Sequence, residues 1–288
     1  MNTPIPDDTK YKRTLKYLCI TLISTITIIS LTIITSNEQV RYSIIYISLN
    51  TTAGIATIFG AIAIYRHKII GIHGISYLFL TLGIALWFCA DLNLLYSYFF
   101  NGVTEQKQIS ISDVLWFSGY VFLSLHLMSI VRTINIKKKS KVLAILLIIA
   151  ISIAILNTLQ TSLHNSFSNH DERKKIEKKL GLVNILITTL YPVLDLSLII
   201  PSLIILVEVH HDYQQSIPWI LSSLSLLINA IADNGYVNDF INESTTLWKW
   251  DLFYINDFIL MAAALYWFNR FHISNSINKN RNNKINNA

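Results

Sequence analysis

The stretch ALWFCADLNLLYSYFFNG, residues 85–102, closes an apolar run that begins near residue 70 and carries one formal charge, Asp91. A run of this length exceeds the ~20 residues that cross a bilayer as a helix. In lipid a helix is the one open segment that satisfies every backbone N–H and C=O internally, so the Ile-, Leu- and Thr-rich composition does not imply strands here. An aspartate inside such a run is costly and therefore informative.

Working outward, similar runs lie near 14–35, 42–65, 70–100, 112–133, 142–161, 181–208, 217–240 and 247–270, and predict eight transmembrane helices. The composition agrees. Of the 288 residues 52% are hydrophobic and 14% charged, too apolar for a soluble domain of this length. The expected architecture is an all-α integral membrane bundle. It comprises a cytoplasmic segment 1–13, a bundle 14–271 built of repeats at about 14–140 and 141–271, and a polar, low-complexity tail 272–288 expected to be disordered.

Lys10, Lys12, Arg13 and Lys16 precede the first run as in a signal peptide, but the run is long enough to span and lacks a small-x-small cleavage site, so it reads as a retained helix. Of the 23 Lys and Arg, 15 fall in the N-terminal segment, the Arg66–Lys68 turn, the Arg132–Lys141 loop and the C-terminal end. That bias places both termini in the cytoplasm of a multi-pass cell-membrane protein. The basic loop DERKKIEKKL, 171–180, opposes this orientation and reads as a surface amphipathic helix. The net charge of +6 is explained by membrane orientation, and no nucleic-acid partner is expected.

The stretch at 85–102 has a second copy. The third run ends in it and the fourth opens ISISDVLWFSGYVFLSLHL (109–127); the seventh carries LLINAIADNGYVNDFINES (226–244) and the eighth opens LWKWDLFYINDFILMAAAL (247–265). Each pair reads Ala-Asp, an aromatic outer turn, a short loop, then an Asp beside Trp. Asp91 and Asp233 are 142 residues apart, and Asp113 and Asp251 are 138 apart. This suggests a four-helix unit repeated with parallel topology.

On helical spacing Trp87, Asp91 and Tyr98 share a face, as do Asn229, Asp233 and Tyr236. Asp91 then lies about 12 Å below the outer end. Asp91 and Asp233 serve either as interhelical hydrogen-bond locks or as ligand or proton groups. Asp113, after Ser110, fits a capping box, and Asp251 sits in a first turn favoured by the helix dipole. In YPVLDLSLIIP (191–201), Tyr191 starts a segment where Pro192 and Pro201 flank Asp195, a hinge or site near mid-bilayer. Asp257 and His126 complete the candidates, His126 reading first as a packing residue.

Other features carry less. Cys19 and Cys89 lie inside apolar runs, which leaves no disulfide framework or zinc knuckle. His210-His211-Asp212 lacks metal-ligand spacing, and Asn242-Glu-Ser is a glycosylation sequon on the outer side. No metal or cofactor is expected. No P-loop, GxSxG or HExxH motif appears, the Gly-x-Gly-Asp context of intramembrane aspartyl proteases is missing, and Lys249, at the outer end of the last span, is not placed inside it as retinal attachment requires. An enzyme is not expected.

The ordered pieces resemble a widespread prokaryotic membrane sensor module, the multi-helix region preceding cyclic-dinucleotide synthase, phosphodiesterase or histidine-kinase domains. They are Trp87, Ala90-Asp91 and Tyr96; Ser112-Asp113 and Tyr120; Tyr191-Pro192-Val193-Leu194-Asp195-Leu196; Ala232-Asp233, Gly235-Tyr236; and Asp251 with its apolar run, covering about residues 70 to 270. The resemblance implies stimulus perception in the membrane and output through the last helix. Only sixteen residues follow His272, so output is expected on a separate cytoplasmic signalling protein. Three functions compete: a receptor-like sensor with a polar pocket between helices three, four, six, seven and eight near the outer leaflet, a proton- or solute-coupled carrier, and a non-catalytic subunit of a larger complex. Aromatics around carboxylates suit a cationic or hydrogen-bonding small molecule.

Overall fold

The computed structural model describes residues 8–67, 69, 71–101, 110–134, 145, 149, 190–208, 213–241 and 247–272. These form seven α-helices and no strand: α1 (Asp8–Ile34), α2 (Glu38–His67), α3 (Gly71–Asn101), α4 (Ile111–Val131), α5 (Tyr191–Glu208), α6 (Tyr213–Ile241) and α7 (Trp248–Trp267). A π-helical turn, Phe268–His272, continues α7. Helix α5 is the second part of the sixth predicted span. The fifth span at 142–161, apart from residues 145 and 149, lies outside the described residues, as do the 171–180 loop, His210-His211-Asp212, the sequon and the tail from 273.

Five helices are long and apolar enough to cross a membrane: Glu38–Arg66, Gly74–Phe100, Ile111–Val131, Ile217–Asp239 and Trp248–Arg270. Helix α1 contributes a shorter apolar stretch, Cys19–Ile34. The burial pattern is that of a protein solvated by lipid. Ile47, Ile58, Val121, Met128 and Ile231 face outward, whereas Asp91, Asp195, Asp257 and His126 are buried. In water such a surface would be an aggregation liability; in hydrocarbon it is the favourable arrangement.

Helix α3 packs on α4 and α6 on α7, while α2 packs on α3 and α7, and α5 on α6 and α4. Small residues set the closest approach. A Cβ on Gly83 would lie 3.1 Å from the Gly119 carbonyl, and one on Gly119 would strike the Trp87 ring at 2.3 Å. This is the close backbone packing that bundles in lipid rely on, where burying apolar surface gives no advantage over lipid contact. The C-terminal end of α7 is tied back to α2: Asn269 Nδ2 donates to the Phe59 carbonyl at 2.8 Å, and Arg66 Nη1 donates to the Asn269 carbonyl at 3.2 Å.

Candidate functional site

Helix α4 is registered by its first turn. Ser110 Oγ accepts from Ser112 N (3.1 Å), and Asp113 Oδ2 accepts from Ser110 N (2.8 Å), forming the expected capping box. Asp113, Trp116 and Tyr120 then share a face by i, i+3, i+7 spacing. On α7, Asp251, Tyr254 and Phe258 repeat that spacing.

These faces supply the donors for the buried aspartates. Trp116 Nε1 donates to Asp91 Oδ1 at 3.2 Å, and Tyr254 Oη donates to Asp233 Oδ1 at 2.5 Å. Each aspartate of the inner pair is thus held by the aromatic side chain three positions after the aspartate that opens the next helix. The Tyr120 hydroxyl lies between two carboxyls. It is 2.9 Å from Asp195 Oδ1 and also hydrogen-bonded to Asp233 Oδ2. Asn234 Nδ2 donates to Asp195 Oδ2 at 2.9 Å. The Asp195 and Asp233 carboxyls, from α5 and α6, share the Tyr120 hydroxyl. Every donor to this pair among the described residues is a neutral hydroxyl or amide.

Aromatic rings surround it. Trp87 stands edge-on to Tyr120 (5.2 Å between centroids) and to Phe258 (6.3 Å), and donates Nε1 to the Trp116 carbonyl at 3.0 Å. Tyr191 packs edge-on to Tyr120 at 6.2 Å, and its hydroxyl is 3.4 Å from Asp113 Oδ1. Tyr236 lies within electrostatic reach of Tyr46, Tyr191 and Tyr254, at the junction of both halves.

Asp257 is clamped elsewhere on α6. Ser225 Oγ donates to its carboxyl and, at 3.0 Å, to its backbone carbonyl, and Asn229 Nδ2 donates at 3.2 Å. His126 is not part of the site. Buried at the other end of the α3–α4 contact, its Nδ1 lies 2.9 Å from both the Ser76 carbonyl and the Ser76 hydroxyl. These contacts tie α4 to α3. Tyr98 leaves the face shared with Trp87 and Asp91 to donate to the Gln39 carbonyl on α2 at 2.8 Å.

The structure therefore gathers Asp195, Asp233, Trp87 and Tyr191 around Tyr120, with Tyr236 near Tyr191 and Tyr254, and places Asp91, Asp113, Asp251 and Asp257 on the adjoining helices. Sequence reasoning missed Trp116, Tyr254 and Asn234 as donors; their fixed offsets from Asp113, Asp251 and Asp233 were the available signal. It also missed Asn50 on α2, whose Nδ2 donates to the Asp91 carbonyl at 3.3 Å. No group of three His, Cys, Asp or Glu among the described residues is placed to hold a metal ion. Compared with known proteins, the chain matches no family profile, no curated protein and no solved structure.

Proposed function

We propose that the chain is a membrane-embedded, receptor-like sensor whose ligand is recognised by the Asp195–Asp233 pair inside an aromatic enclosure. The observation that carries this reading is the neutral donor set. Two carboxyls from different helices meet in an apolar bundle, and their partners Tyr120, Tyr254 and Asn234 bring no positive charge. A buried carboxyl pair is tolerated when a proton or a cation supplies the missing charge, so its occupancy responds to what enters the bundle.

In this reading eight spans form two parallel four-helix repeats, both termini are cytoplasmic, and the site lies toward the outer leaflet. Output passes through α7 to a cytoplasmic signalling protein. The repeat is supported by packing: α2 meets α3 and α7 as α5 meets α6 and α4. The test is thermal stability of the purified full chain across a panel of small cationic and hydrogen-bonding compounds. A ligand is expected to raise the midpoint of the wild type and leave Asp233→Asn unmoved. Equal shifts in both would remove the basis of the site.

A carrier is the second reading, favoured by the same pairing of halves about an axis along the membrane normal and by Pro201 inside α5. Uptake into proteoliposomes separates the two. A carrier loses flux in Asp195→Asn while remaining folded, whereas a sensor shows no flux in either form.

A further inference from the structure

In the opposite half of the bundle, where α2, α3 and α7 meet, several carboxyl and amide oxygens receive no donor among the described residues. Asp91 Oδ1 receives Trp116, but among the described residues nothing donates to its Oδ2. Asp251, partly buried in the first turn of α7, receives no side-chain hydrogen bond there, although Asp91 and Tyr46 are its electrostatic neighbours. Its counterpart Asp113 is fully engaged by Ser110 and approached by Tyr191.

A second, independent observation comes from the amides. Asn50 is 7% exposed; its Nδ2 is committed to the Tyr46 carbonyl (2.9 Å) and the Asp91 carbonyl (3.3 Å), and its Oδ1 has no donor. Because Asn50 reaches the Asp91 backbone while Tyr46, one turn outward, neighbours Asp251, this oxygen belongs to the α2 face that meets α3 and α7. The Oδ1 of Asn229, beside Asp257, also lacks a donor. Arg41 on α2 is engaged elsewhere. It donates to the Thr35 carbonyl at 2.7 and 3.2 Å and lies over the Trp248 ring at 4.7 Å.

The Oδ1 atoms of Asn50 and Asn229 are buried and unpaired, which is costly in a medium without water. Water brings two donors but also two further acceptors, so it leaves the imbalance in place. An ammonium group brings donors and positive charge alone. The walls are aromatic: Tyr46 stacks with Tyr42 (6.2 Å) and packs against Tyr98 (4.9 Å). Such walls favour an organic cation over a hydrated inorganic one.

We propose that the α2–α3–α7 junction binds the ammonium head of a small organic amine between Asp91 and Asp251, with Asn50 Oδ1 as a further acceptor and the Tyr46 ring as a wall. This site is distinct from the Asp195–Asp233 pair and stands without it.

The experiment uses the full chain in lipid nanodiscs, titrated with n-butylammonium chloride. Controls are n-butanol and sodium chloride at matched ionic strength, and the readout is tryptophan fluorescence, since Trp116 and Trp248 border the site. Saturable binding is expected with butylammonium and with neither control. Asp251→Asn is expected to weaken it at least tenfold, about 1.4 kcal/mol. That substitution keeps the shape of a side chain that makes no hydrogen bond. Asn50→Ala, a second variant, is expected to weaken binding severalfold. A response matched by sodium or by butanol overturns the proposal, as do wild-type affinity in both variants and absence of any saturable change in the wild type.

Discussion

Tyr120 has one hydroxyl and two carboxyl neighbours, which makes it the side chain on which the site depends most directly. Tyr120→Phe keeps the ring contacts with Trp87 and Tyr191 and removes the hydrogen bonds to Asp195 and Asp233. Interhelical hydrogen bonds in bilayers contribute ~0.6 kcal/mol on average and ~1.7 at most, so a loss of about 1–2 kcal/mol is expected. Reversible unfolding in mixed micelles measures it, and an unchanged midpoint would show that the hydroxyl contributes nothing to stability. Tyr254→Phe, removing one donor to Asp233, is expected to cost about half as much. At this scale the sequence was legible where a charge interrupted an apolar run, as at Asp91, Asp195 and Asp233. It was silent at Asn50 and Trp116, because a neutral amide or an indole in a membrane helix carries no anomaly until its partner on another helix is known.

At the scale of elements, two crossings with different chemistry occupy equivalent positions in the proposed repeat. Gly83 and Gly119 meet where α3 crosses α4; Ser225 and Asp257 meet where α6 crosses α7. Ser225 follows Gly83 by 142 residues and Asp257 follows Gly119 by 138, the offsets that relate Asp91 to Asp233 and Asp113 to Asp251. One crossing is held by close backbone approach and the other by hydrogen bonds, which gives Asp257 a structural role. Gly119→Leu is expected to cost about 1–3 kcal/mol by driving into the Trp87 ring. Asp257→Leu removes the carboxyl to which Ser225 and Asn229 donate, leaves Ser225 only the backbone carbonyl and Asn229 Nδ2 without its acceptor, and is expected to cost a similar ~1–3 kcal/mol. Unfolding midpoints of both variants, beside a lipid-facing control such as Val121→Leu, check this. A variant as stable as the control would exclude its crossing as a packing contact. The helices themselves were readable from apolar run length, whereas this equivalence was hidden because glycine and aspartate share no composition signal.

At the scale of the molecule, a repeat of an even number of spans places equivalent loops on the same side of the membrane. In the proposed orientation the link Ser36–Asn37 between α1 and α2 lies outside and the end of α4 at Thr133 lies inside with Arg132, as the distribution of Lys and Arg suggests. Both positions are exposed, and the native thiols Cys19 and Cys89 are exposed on lipid-facing helices, so their replacement by serine has no disulfide to break. In that background, Asn37→Cys is expected to react with a membrane-impermeant maleimide in intact cells. Thr133→Cys is expected to react only after permeabilisation. The reverse pattern would invert the molecule and turn the carboxyl pair toward the cytoplasm. Labelling of both from outside would mean that an even number of spans separates Asn37 from Thr133, and the parallel repeat would fall with it. Orientation also decides which compartment can deliver a cation to Asp195 and Asp233, so this labelling bears on the ligand as directly as on the topology.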